Sequence, residues 1–215
     1  MNARHLILLA ALACSAAWWL ALRPDPAART PVPGAANATG GCPLPPRVAD
    51  AATPLQSLVP DGLVLPEVGD AATTALAGFS VEARVLGRED YRFDREAAYA
   101  PLDLALGWGR MTEEAVVSRL DITQSGRWYR YRWQAEPPIP LAEIVRSSAN
   151  MHMVPANQAV AADLARIAEG DRVRVDGWLV QLDRPGGWRW RSSLTREDSG
   201  GGACELVYVC AVTRL

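Results

Sequence analysis

The chain has 215 residues, of which 49% are hydrophobic and 21% are charged, and these proportions exclude wholesale disorder. The net charge of −2 at pH 7 provides no positive field for a polyanion, so we expect no nucleic-acid partner. Two histidines and four cysteines without a CxxC pair argue against a structural zinc site, and no cofactor or metal is predicted. Every basic residue is an arginine; a coding bias explains this, with selection for planar anion contacts as the alternative.

Residues 1–23 form the first predicted element, an apolar segment that follows Arg4 and ends at Arg23. The apolar stretch reaches about 26 Å as a helix, near the lower limit for crossing a membrane. An uncleaved transmembrane anchor is favoured; a cleaved signal peptide and a lipoprotein acylated at Cys14 are the alternatives. All three predict a domain outside the cytoplasm, in the periplasm or extracellular space. The favoured location is therefore the inner (cytoplasmic) membrane, crossed once, with the membrane as a partner.

Residues 24–75 are rich in proline and alanine and lack the periodicity of a helix or strand. Such a composition predicts a semi-extended, solvated linker, in which the more apolar stretch 55–65 could dock on the domain. Cys42 lies within this linker. It is either a free thiol or, in an oxidising compartment, the partner of Cys204 or Cys210 in a disulfide.

Residues 76–215 are predicted to form one globular, β-rich domain. Alternation from Phe79 to Val85 predicts a half-buried strand, and Pro101 is expected to begin a short helix that runs to Leu106. Thr112 is predicted to cap a second helix. Residues 127–133 are predicted to form a further strand, which has Tyr129, Tyr131 and Trp133 on one face and Trp128, Arg130 and Arg132 on the other.

The second half of the domain continues this mixture. Asn157 is expected to cap a helix that ends at Gly170, and a change of phase at Asp176-Gly177 predicts a β-bulge. The remaining predicted elements are a helix at 141–146, strands at 150–154, 173–182, 188–194 and 204–212, and a glycine-rich loop at 195–203. Strands with bulges and only short helices predict an α+β fold built on a small, bent, OB-like β-barrel.

His152 and Cys204 are the residues most able to support chemistry. A histidine that activates a thiolate is the minimum apparatus for covalent acyl transfer, and Asn150 on the same strand face could orient the ring. Arg196 could stabilise charge near Cys204, which is a better candidate nucleophile than Cys210. In the structural alternative, His152 bonds to a loop carbonyl and the cysteines are buried or oxidised.

Three stretches resemble an uncharacterised bacterial envelope-protein family without a known activity: Leu104–Gly109, Ser148–His152 and Trp190–Leu206. A second, faint resemblance is to sortases. It consists of His152, the helix ending at 167–171, a valine-rich strand and Cys204, although Gly202-Ala203 differ from the residues that sortases have before the cysteine. That resemblance implies cysteine transpeptidation on surface proteins.

Together these features predict a membrane-tethered extracytoplasmic interaction domain with an envelope component or protein as its partner. Its oligomeric state is left open by the sequence. The alternative is a Cys/His-dependent acyl-transfer enzyme, sortase-like or hydrolytic. Interleaved tryptophans and arginines could stack on bases or sugars, whereas cross-strand packing is the simpler interpretation.

Overall fold

The computed structural model describes residues 42–49, 52–196 and 203–215, which all belong to one compact unit. Within these ranges no helix is long and apolar enough to span a membrane, and the predicted N-terminal segment lies outside them. The strands are β1 (Leu55–Ser57), β2 (Ala72–Asp90), β3 (Leu102–Gly107), β4 (Asp121–Ser125), β5 (Trp128–Arg132), β6 (Ser148–Pro155), β7 (Arg172–Asp183), β8 (Arg189–Arg191) and β9 (Glu205–Arg214). The α-helices are α1 (Glu114–Val117), α2 (Leu141–Arg146) and α3 (Gln158–Ala165). A sheet-rich α+β fold with few short helices is thus confirmed.

Seven strands form one mixed sheet in the order β1-β2-β3-β6-β9-β7-β8, and β2 pairs in addition with β7. The β6–β9 pair is parallel and the other pairs are antiparallel. Strand β2 pairs with both β3 and β7 because it is 19 residues long and its register shifts near each end. Strands β4 and β5, which follow β3 and precede β6 in the chain, form a separate two-stranded hairpin.

Alternating apolar residues build the main core. Phe79, Val81 and Val85 on β2 are fully buried, as the alternation predicts, and they pack with apolar residues of β3, β6, β7 and β9. Helix α3 contributes Val160 and Leu164 to the same core. It begins where expected, because the Asn157 side chain accepts a hydrogen bond from the Val160 amide at 3.0 Å.

The predicted bulge is confirmed at Asp176-Gly177, where the β7–β9 register shifts. Here β9 approaches β7 so closely that a side chain would not fit. A Cβ on Gly177 would lie 2.1 Å from the carbonyl oxygen of Tyr208. The bulge therefore requires glycine for a steric reason.

Two local predictions are wrong. The expected helix at 101–106 is strand β3, whose six residues are all buried; a continuous apolar run carries no period that separates helix from strand. Thr112 does not cap α1, because its hydroxyl donates to the Gly109 carbonyl at 2.8 Å and Glu113 occupies the cap position. Strand β4 is an addition to the predicted elements.

The linker prediction for residues 24–75 is also wrong for the part from Cys42 onward that the structure describes. Cys42 forms a disulfide with Cys210, one of its two expected partners. The Pro43 carbonyl accepts a hydrogen bond from the Trp178 indole at 2.8 Å, and Val48 is buried, as is Leu65 in the stretch that is expected to dock. This segment packs on the sheet because it supplies apolar side chains to a second core cluster and contributes strand β1.

Candidate functional site

A fully buried carboxylate, Asp103 on β3, is the centre of the polar site. It stands opposite His152 in the β3–β6 register, and its Oδ1 lies 2.9 Å from His152 Nδ1. The Asn150 amide donates to the other carboxylate oxygen at 3.0 Å. Asn150 and His152 therefore share one strand face, as predicted. A buried carboxylate is tolerated only with such partners.

Arg127 supplies the positive charge. It lies in the two-residue turn between β4 and β5, where Gly126 and Arg127 have φ values of 58° and 70°. Its Nη1 donates to Asp103 Oδ1 at 2.9 Å, while Nε and Nη2 donate to the Asp94 carboxylate at 3.0 and 2.8 Å. The guanidinium also lies 3.8 Å from the centre of the Tyr91 ring. One arginine thus joins the hairpin to β3 and to the loop after β2.

Aromatic rings cover the histidine. His152 is 4% exposed and its ring centre lies 4.8 Å from that of Trp190 on β8. The ring centres of Trp190 and Trp188 lie 6.2 Å apart, and Trp188 stacks on Tyr99 with 5.3 Å between the ring centres. The imidazole is therefore held between the Asp103 carboxylate and an indole, with little contact with solvent.

Cys204 joins the same network through a backbone group. Its Sγ donates to the Arg127 carbonyl at 3.8 Å, and the Asn150 amide donates to that carbonyl at 3.2 Å. Cys204 takes no part in the disulfide, which joins Cys42 to Cys210. The hydrogen bonds of the two predicted catalytic side chains go to different partners: Cys204 Sγ to the Arg127 carbonyl and His152 Nδ1 to Asp103.

An open cleft of about 150 Å³ lies beside this network, and Asn150, Cys204 and Arg196 line it. At its base Arg196 Nη1 donates to Oε1 of Glu205, a carboxylate that is only 1% exposed. Arg196 Nη2 donates to the Gln56 side chain at 2.7 Å. The ion pair leaves the base of the cleft without net charge, while its atoms remain polar.

The walls of the cleft are aromatic. Trp128, Tyr129 and Tyr131 from β5 and Trp108 after β3 line it. The Tyr129 and Tyr131 rings lie 5.5 Å apart, and the Tyr129 hydroxyl donates to Ser148 at 3.3 Å. Burial raises the pKa of Tyr129 well above its usual value, so this phenol stays protonated. Trp128 is 40% exposed at the rim.

The structure thus brings Asn150, Cys204 and Arg196 to one cleft and places His152 behind it, under Trp190. Sequence reasoning missed Asp103, because it assigned a helix there, and missed the role of Arg127. The alternation at 121–125 followed by Gly126 was a usable hairpin signal. No cluster of three potential metal ligands occurs in the described part of the chain.

No protein-family model, curated protein or solved structure matches this chain, so the resemblances to envelope proteins and sortases stay predictions.

Proposed function

We propose that this chain is a membrane-tethered extracytoplasmic binding domain that holds an envelope component in the cleft beside the Asp103–Arg127 network. The observation that carries this proposal is the combination of aromatic walls with a charge-neutral polar base in one open cleft. Binding sites have this general make-up, with mainly apolar and aromatic walls and a few fixed polar groups.

The strand pairings support an OB-like barrel as the scaffold. Each of β2, β3, β6, β9 and β7 pairs with two others in a ring that returns to β2. The parallel β6–β9 pair and helix α3 between β6 and β7 also fit that architecture. In such barrels one strand face and its adjoining loops bind ligands, and the cleft borders β6 and the segments around β8 and β9.

The disulfide supports an extracytoplasmic location. Disulfides between residues distant in sequence persist in oxidising compartments and are rare in the cytosol. The Cys42–Cys210 bond spans 168 residues and fixes the start of the described domain to its last strand. A C-terminal alkaline phosphatase fusion tests export: we expect an active fusion, and a stable but inactive one would contradict the location.

The alternative acyl-transfer enzyme needs a thiolate beside a base. A carbonyl oxygen accepts only from the protonated thiol, and this is the contact that Cys204 makes with Arg127. His152 directs Nδ1 at Asp103 and is covered by Trp190. These contacts favour binding over covalent catalysis.

Alkylation of Cys204 by iodoacetamide in the folded full chain separates the two functions. We expect slow modification at neutral pH and the same rate in His152→Gln, because His152 Nδ1 is directed at Asp103 and Cys204 Sγ at the Arg127 carbonyl. Cys204→Ser provides the blank, and the disulfide is kept oxidised throughout. Fast modification near pH 7 that His152→Gln slows would overturn the binding proposal in favour of the enzyme.

A further inference from the structure

The cleft's chemistry points to an uncharged sugar ring of an envelope glycan as its ligand; this inference rests on the proposed binding function. The chemical class of the ligand follows from three properties of the described residues: the charge of the cleft, the arrangement of its aromatic walls, and the size of the cleft.

The charge of the cleft argues against an ionic ligand. Among the described lining residues the charged side chains, Arg196 and Glu205, pair with each other, and the nearby Asp103 is paired with Arg127. An anionic ligand would have to displace Glu205 from Arg196, and a cationic one would have to displace Arg196 from Glu205. Breaking a buried pair in this way is costly. A neutral ligand that carries hydroxyl groups avoids that cost.

The walls suit a ring with one apolar face. A pyranose presents C–H groups on its faces and hydroxyls around its edge, so an aromatic plane can cover the face while polar groups bond to the edge. Trp128 and Tyr131 offer such surfaces, and Trp128 remains 40% exposed at the rim. Their neighbour Tyr129 is kept as a protonated phenol by burial, which raises its pKa.

The size of the cleft restricts the ligand to a single ring. Its volume of about 150 Å³ is below the roughly 300–1,000 Å³ typical of drug-sized sites. Because the cleft is open, the remainder of a longer glycan can extend into solvent past Trp128. We therefore expect recognition of one residue within an oligosaccharide.

The test is isothermal titration of the full chain with three neutral oligosaccharides: chitotetraose, cellotetraose and maltotetraose. The detergent must carry no sugar headgroup. We expect saturable binding of at least one of them, weakened about tenfold or more by Trp128→Ala, since stacking on one aromatic ring has that magnitude. Phe93→Ala is the matched control, because Phe93 is 98% exposed and does not line the cleft; its affinity should equal that of the wild type.

Arg196→Lys gives a second, independent variant, because lysine retains the charge opposite Glu205 but lacks the planar guanidinium that bonds to both Glu205 and Gln56. It should also weaken binding. For an uncharged ligand, the affinity should change little between 50 and 500 mM salt, on the order of experimental error.

Failure of this inference is distinguishable from failure of the proposed function. If the three oligosaccharides do not bind, the sugar assignment is overturned. Binding of an envelope peptide or of a charged glycan, with loss in Trp128→Ala, would also overturn it while the binding function stands. Rapid, His152-dependent alkylation of Cys204 would instead remove the binding function itself.

Discussion

Replacing Arg127 by alanine tests whether the Asp103 network holds the hairpin to the sheet. The Arg127 side chain is 15% exposed and Asp103 is fully buried, so the substitution leaves an uncompensated buried carboxylate. Removing one partner of a buried pair costs about 3–5 kcal/mol. Asp103 keeps its contacts with Asn150 and His152, so we expect the lower end, about 3 kcal/mol of unfolding free energy. For a domain of this size that lowers Tm by about 6–12 °C.

Urea unfolding followed by tryptophan fluorescence measures this loss, with the disulfide left oxidised. Trp190 is a suitable reporter, because its ring lies 5.6 Å from the Arg127 guanidinium. Arg166→Ala is the matched control: its side chain is 69% exposed and pairs with Asp163 on the surface. Exposed pairs contribute about 0–1 kcal/mol, so this control should be nearly neutral.

A double-mutant cycle with Asp103→Asn isolates the pair. When both charges are removed, no buried carboxylate remains to be compensated. The double variant should therefore lose less than the sum of the single variants, by about 1–3 kcal/mol. If Arg127→Ala costs no more than Arg166→Ala, or if the cycle shows no coupling, the network does not stabilise the site in the way argued above.

Three further predictions concern the scaffold. Cys210→Ser should cost about 2–5 kcal/mol in urea unfolding because it removes a crosslink over 168 residues, whereas Cys204→Ser should cost much less. Gly177→Ala should destabilise by at least about 1–3 kcal/mol, since its Cβ would meet the Tyr208 carbonyl at 2.1 Å; an unchanged midpoint would contradict the tight bulge. Burial and then the Asp103 charge raise the pKa of Tyr91 from 10.0 to about 12. The stability that the neutral Tyr91 phenol contributes to the fold is therefore complete below pH 10 and is lost as the pH rises through about 12. In an absorbance titration at high pH, Tyr91→Phe should show one phenol fewer ionising near pH 12.

Local signals predicted much of the fold. The cap at Asn157 and the phase change at Asp176-Gly177 depend only on residues that are neighbours in the sequence, and both are confirmed. Strand β3 was missed because its side chains are buried on both faces, and that pattern fits a helix equally well. The packing of residues 42–49 was missed because it depends on the distant Trp178 and Cys210 rather than on local periodicity.

The candidate site was only partly predictable for the same reason. Asn150 and His152 alternate on one strand, so their shared face follows from the sequence. Their partners Asp103 and Arg127 come from elements 47 and 23 residues away from Asn150. Burial of Asp103 and the turn at Arg127 depend on the packed sheet, and no local pattern specifies which carboxylate and which arginine will meet.

The Cys42–Cys210 bond also determines where a pulling force would enter the domain. Tension arriving along the chain before residue 42 passes through the sulfur atoms into β9, so that it bypasses the three-residue edge strand β1. Strand β9 is hydrogen-bonded on both sides, to β6 and β7. Load applied along it shears two ladders at once, whereas load on an edge strand would open its hydrogen bonds one by one. The crosslink therefore makes the domain mechanically resistant to a force applied at Cys42.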